Sequence, residues 1–94
     1  MKLSIYAYRD KQLGAYTQPL INNIDKKRAE VAFSRGVIGL SEQQKQSMIH
    51  FDLYYLGEYD DESGAIKAII PEYIFSLDSV ISKSEEVVED EQVK

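Results

Sequence analysis

Four carboxylates fall within five positions, Glu58, Asp60, Asp61 and Glu62, inside the stretch LYYLGEYDDESGAI. Acids this dense are the first place to look for a metal site or an acid–base pair. A calcium loop takes oxygen ligands at alternate positions, a central glycine and a closing glutamate. Gly64 has only Asp60 and Glu62 at alternate places before it, and no acid follows where such a loop needs one. Acid, serine and glycine in this order are the chemistry of a hairpin turn: Asp and Ser bond back to the local backbone, and Gly64 takes a left-handed conformation. Exposed loop acids also lack the burial that lifts a carboxyl group into range for acid catalysis. His50 is the only histidine and cysteine is absent. No short motif brings His50 a nucleophile and an orienting acid, and no phosphate-cradling glycine loop occurs. A protein that is not an enzyme, with no metal and no cofactor, is the expectation.

The tyrosines offer other chemistry. In KLSIYAY, Leu3, Ile5 and Ala7 share one side of an alternating segment, and Lys2, Ser4, Tyr6 and Tyr8 share the other. If the aliphatic side packs on a helix, Tyr6 and Tyr8 lie on an open sheet face, with Lys2, Arg9 and Lys11 supplying positive charge. Rings among cations suit single-stranded nucleic acid, whose bases stack while its phosphates pair with the basic groups. Core or dimer contacts are the alternative role for such rings.

Several elements must position these groups. Lys2–Tyr8 alternates with period two and reads as a strand. Leu13–Gln18 is a second strand that pairs with it as a hairpin, ended by Pro19. Asn22 and Asn23 are candidate caps for a helix over 23–35. Ala29, Ala32 and Phe33 would be its buried stripe, Arg28 and Arg35 would lie along one flank, and Gly36 would cap its end. Residues 37–48 read as a loop with one helical turn, Ser41 and Gln44 having the spacing of a capping box. Phe51–Glu58 and Ala65–Ile70 are further strands, and Pro71 ends the second. Tyr73–Leu77 is a short edge strand or a packed extended segment. The expected fold is α+β: an antiparallel sheet of about four strands, β-β-α-β-β in sequence order, with one main helix on one face. One domain spans 1–81, and 82–94 forms an acidic flexible tail.

Ninety-four residues make a single small domain, which dimerisation would help to bury more apolar surface. The net charge of −5 is unevenly placed. Residues 1–48 carry eight basic and four acidic side chains; residues 49–94 carry three and twelve. Such asymmetry suits nucleic-acid contact with an acidic appendage, or a solvated surface with an acidic tail. No apolar run approaches the ~20 residues of a membrane helix, and the opening MKLSIYAYRD lacks the apolar core of a signal peptide.

Three stretches carry a family resemblance: MKLSIYAYRDKQLGAYTQP, the helix with Arg28 and Phe33, and FDLYYLGEYDDESGAI followed by PEYIFSL. Together, over about residues 1–78, they resemble the small nonstructural protein of gokushovirus-type microviruses, tailless phages with single-stranded DNA genomes. The helix RAEVAFSRGVIGL departs from that family in lacking the usual asparagine near its end. The resemblance implies a place in the bacterial host cytoplasm and a role in genome replication. That role includes DNA binding and the switch from duplex replication to single-strand production. It supplies no functional residues. The nucleic-acid-binding set Lys2, Tyr6, Tyr8, Arg9, Lys11, Arg28 and Arg35 comes from charge and alternation. Expected partners are single-stranded DNA, a second copy of the chain and a phage replication protein. Alternatives are a protein-interaction module for a replication or capsid protein, or a DNA-mimicking inhibitor of a host protein.

Overall fold

A computed structural model describes residues 1–82. Of the expected acidic tail, all but residue 82 lies outside the described residues. The elements run β1 (Lys2–Asp10), β2 (Ala15–Tyr16), β3 (Leu20–Asn22), α1 (Lys26–Ile38), α2 (Glu42–Ser47), β4 (Phe51–Asp60) and β5 (Ile66–Ser76). The chain is helical again over 77–82. The architecture is α+β with an antiparallel sheet of order β2-β1-β4-β5, and β3 also pairs with β1. The sheet therefore has five strands rather than about four, the addition being the short β3 after Pro19.

The helix bounds move by a few residues. Asp25, not Asn22 or Asn23, caps α1, its carboxylate accepting from the Arg28 amide at 3.0 Å. Asn22 instead closes a local turn, its Oδ1 accepting from the Ile24 amide. The C-cap is Gly39 rather than Gly36. Ser41 and Gln44 form the reciprocal capping box and start α2, a longer helix than the single turn expected.

Pro71 does not end its strand. β5 runs through it as one edge strand from Ile66 to Ser76. Proline is tolerated there because no further strand among the described residues needs its missing N–H. Between Tyr55↔Glu72 and Gly57↔Ala68, Leu56 alone faces the run Ile69–Pro71, so β5 bulges outward. Gly57 has φ +142°, and a Cβ there would sit 2.1 Å from the Lys67 carbonyl oxygen. Only glycine accommodates that close approach.

The core lies between the sheet and the helices. Tyr6, Ala29, Val37, Leu53, Phe75, Leu77 and Ile81 form its buried cluster, with Tyr8, Phe33, Phe51 and Tyr55 packed against it. Tyr6 is 0% exposed. This reverses the expected facing of β1: Tyr6 and Tyr8 point under the helix, and Ile5 and Ala7 belong to the other side. Cross-strand pairing explains it. Tyr6 lies opposite Tyr55 and Tyr8 opposite Leu53, on the apolar side of β4, whereas Ala7 lies opposite Tyr54. Two phenol rings fill the space beneath α1 far better than alanine would.

Candidate nucleic-acid interface

Tyr6 and Tyr8 are structural. The Tyr6 ring meets Phe33 edge-on at 5.1 Å and Tyr55 at 5.6 Å, and its hydroxyl donates to the Ile24 carbonyl at 2.7 Å. That bond lets a polar tip sit in an apolar core. Tyr8 packs between Phe33 and Phe51 at about 6 Å from each. Burial pushes both phenols above their ordinary pKa.

Among the described residues no helix covers the opposite sheet face, which carries a different aromatic row. Tyr54 in β4 lies across from Tyr73 in β5, with ring centroids 5.9 Å apart. Tyr16 in β2 meets Tyr54 at 5.5 Å. Both contacts are near-perpendicular, so Tyr54 stands between two rings turned the other way. Tyr16 and Tyr73 are the more open, at 43% and 54% exposure. The Arg9 guanidinium sits over Tyr16 at 5.8 Å from its centroid, within cation–π range. Ala7 supplies a small floor beside Tyr54.

Beside this row, Arg9 is paired across the strands with Asp52, a buried acid. Lys11 Nζ stands 3.4 Å from Asp52 Oδ1, an ion contact without hydrogen-bond geometry, and that oxygen has no other partner among the described residues.

The seven expected residues therefore divide. Arg9 and Lys11 flank the open-face row. Tyr6 and Tyr8 are in or against the core. Lys2, at the far end of β1, shares the helix-side face with its partner Asp60. Arg28 and Arg35 are exposed on α1, the layer on the other side of the sheet, and do not join Arg9 and Lys11. Sequence reasoning missed Tyr16, Tyr54 and Tyr73. The available signal was the side of β4 opposite Phe51, Leu53 and Tyr55, which already placed Tyr54 outward.

The acidic stretch is a hairpin turn. Asp60 Oδ1 accepts from the Glu62 amide, the Gly64 amide donates to the Asp60 carbonyl at 2.7 Å, and Gly64 has φ +77°. The N-terminal amine bridges to Asp61 at 2.8 Å and to Glu62 at 3.6 Å. Its hydrogen bond to the Asp61 carboxylate is the main influence holding that amine above its ordinary pKa. Among the described residues, no helix is long and apolar enough to cross a membrane.

No curated protein and no solved structure matches the chain. A family model described as Phage ORF5 protein matches residues 3–80, which take in nearly the whole sheet, α1, α2 and the whole tyrosine row. The chain belongs to that phage protein family.

Proposed function

We propose that this phage protein is a nonenzymatic single-stranded-DNA-binding protein that acts in genome replication and in the switch to single-strand production. The observation that carries the reading is the open-face row Tyr16–Tyr54–Tyr73 with Arg9 over its first ring. Unpaired bases stack on such rings without regard to sequence, and each stacked base is worth about 1–3 kcal/mol. Arg9 and Lys11 supply phosphate partners at one end of the row. With so few cations on this face, stacking carries more of the affinity than charge does.

Fluorescence anisotropy with a labelled oligothymidylate over a salt series tests the reading. The wild type binds at low salt with a shallow salt slope, set by about two phosphate contacts. Tyr16→Ala/Tyr73→Ala weakens binding at least ~10-fold, because two stacking surfaces are lost. No binding at low salt, or equal binding by the double variant, overturns the proposal.

A second reading has one observation in its favour. The buried carboxylate of Asp52 beside Arg9 makes this face less cationic than a nucleic-acid groove commonly is. In that reading the tyrosines dock a replication or capsid protein, and oligonucleotides do not bind.

A further inference from the structure

Beyond the tyrosine row, toward the hairpin tip, the strands β1, β3, β4 and β5 segregate their side chains by face. Leu3 lies opposite Tyr59, and Tyr59 opposite Ile66. Ile5 lies opposite both Ile21 and Gly57, and Gly57 opposite Ala68. Residues directly opposite share a face, so Leu3, Ile5, Ile21, Tyr59, Ile66 and Ala68 line one side. On the other side, Lys2 faces Asp60, and Ser4 faces Asn22 and Glu58, which in turn faces Lys67. The charged side is the one toward α1. The uncharged side is the one that no helix among the described residues covers, and on it Ile66 is 66% exposed and Ile21 49%. A sheet that met only water there would show the reverse pattern.

We infer that a second copy of this chain packs its own distal patch against this one, giving a face-to-face dimer. Three features select that occupant. The six side chains carry no charge, so like meets like without an unpaired ion, as a two-fold contact requires; a nucleic acid would find no cation among them. The free edge of β5 is a poor site for strand addition, because the Ile69–Pro71 bulge distorts it and Pro71 has no N–H. The area is also of the right order. Ile5 is buried at 7% exposure and adds little; the other five side chains offer roughly 60–90 Å² each, so the patch is about 300–450 Å² per copy, the size of a weak, reversible contact. The tyrosine row lies on the same face but outside the six side chains of the patch.

Sedimentation equilibrium of the full chain from about 1 to 200 µM tests the inference. The wild type shifts from monomer to dimer mass over this range. Ile66→Glu and, separately, Ile21→Glu stay monomeric at the highest concentration, while Val31→Glu, at an exposed α1 position away from the patch, associates like the wild type. Far-ultraviolet circular dichroism and cooperative melting verify that each variant is folded. A wild type that remains monomeric throughout, or folded patch variants that dimerise as well as the wild type, overturns the inference. Oligonucleotide anisotropy on Ile66→Glu separates this result from the proposed function, because the tyrosine row is intact in that variant.

Discussion

Replacing Tyr6 by phenylalanine removes one oxygen from the middle of the protein and nothing else. The ring stays in its site against Phe33 and Tyr55, so the packing term is unchanged. What is lost is the 2.7 Å bond to the Ile24 carbonyl, which then has to find water at a partly buried position. The cost expected is about 1–1.5 kcal/mol. For a chain of this size that is a fall in melting temperature of roughly 4–10 °C. Truncation to alanine empties the ring site as well and costs about 3–5 kcal/mol, a large part of the stability of so small a domain. Urea denaturation followed by circular dichroism measures both. The same Tyr6→Phe protein, assayed below its transition, is expected to bind oligothymidylate as the wild type does. Unchanged stability together with weakened binding would refute the reasoning, since that pattern belongs to a surface ring rather than a core one.

Other consequences follow from particular contacts. Gly57→Ala places a Cβ against the Lys67 carbonyl at a positive φ, and a loss of about 2–5 kcal/mol is expected in chemical denaturation. Ser41→Ala removes the side-chain half of the α2 capping box and is expected to cost about 1 kcal/mol in the same assay. Alkaline pH is expected to unfold the protein through Tyr6 and Tyr8, whose pKa values are raised by burial. An unfolded tyrosine ionises near pH 10. Their contribution is therefore complete below about pH 10, and stability falls as pH rises through the folded values, because the unfolded chain releases those protons first. Urea midpoints at pH 9, 10 and 11, with tyrosinate absorbance recorded alongside, check this, and Tyr8→Phe should flatten the slope.

Local chemistry was legible in the sequence wherever a few adjacent residues settle it. The Asp60–Gly64 turn follows from one carboxylate, one serine and one residue free to take positive φ. The Ser41–Gln44 box is likewise a short-range reciprocal bond. Strand positions followed from alternation, and the α+β class followed from the order of the elements. Helix bounds slipped because Asn22, Asn23 and Asp25 all have capping side chains, and the selection was made by the pairing of β3 with β1, which draws Leu20–Asn22 into the sheet.

The inward side of β1 was a matter for the tertiary structure alone. Period-two alternation shows that two sides differ, but both sides of KLSIYAY are rich in residues that can be buried, and Ile5, Tyr6 and Ala7 are all buried in the fold. Registry with β4 broke that symmetry by setting Tyr6 and Tyr8 against Tyr55 and Leu53. The same registry, with Tyr73 and Tyr16 arriving from two other strands, assembled the open-face row from residues 16, 54 and 73. Composition and local spacing fixed which segments could form strands. Which rings meet depends on pairings between residues tens of positions apart, and those are decided by the packing of the whole sheet against its helices.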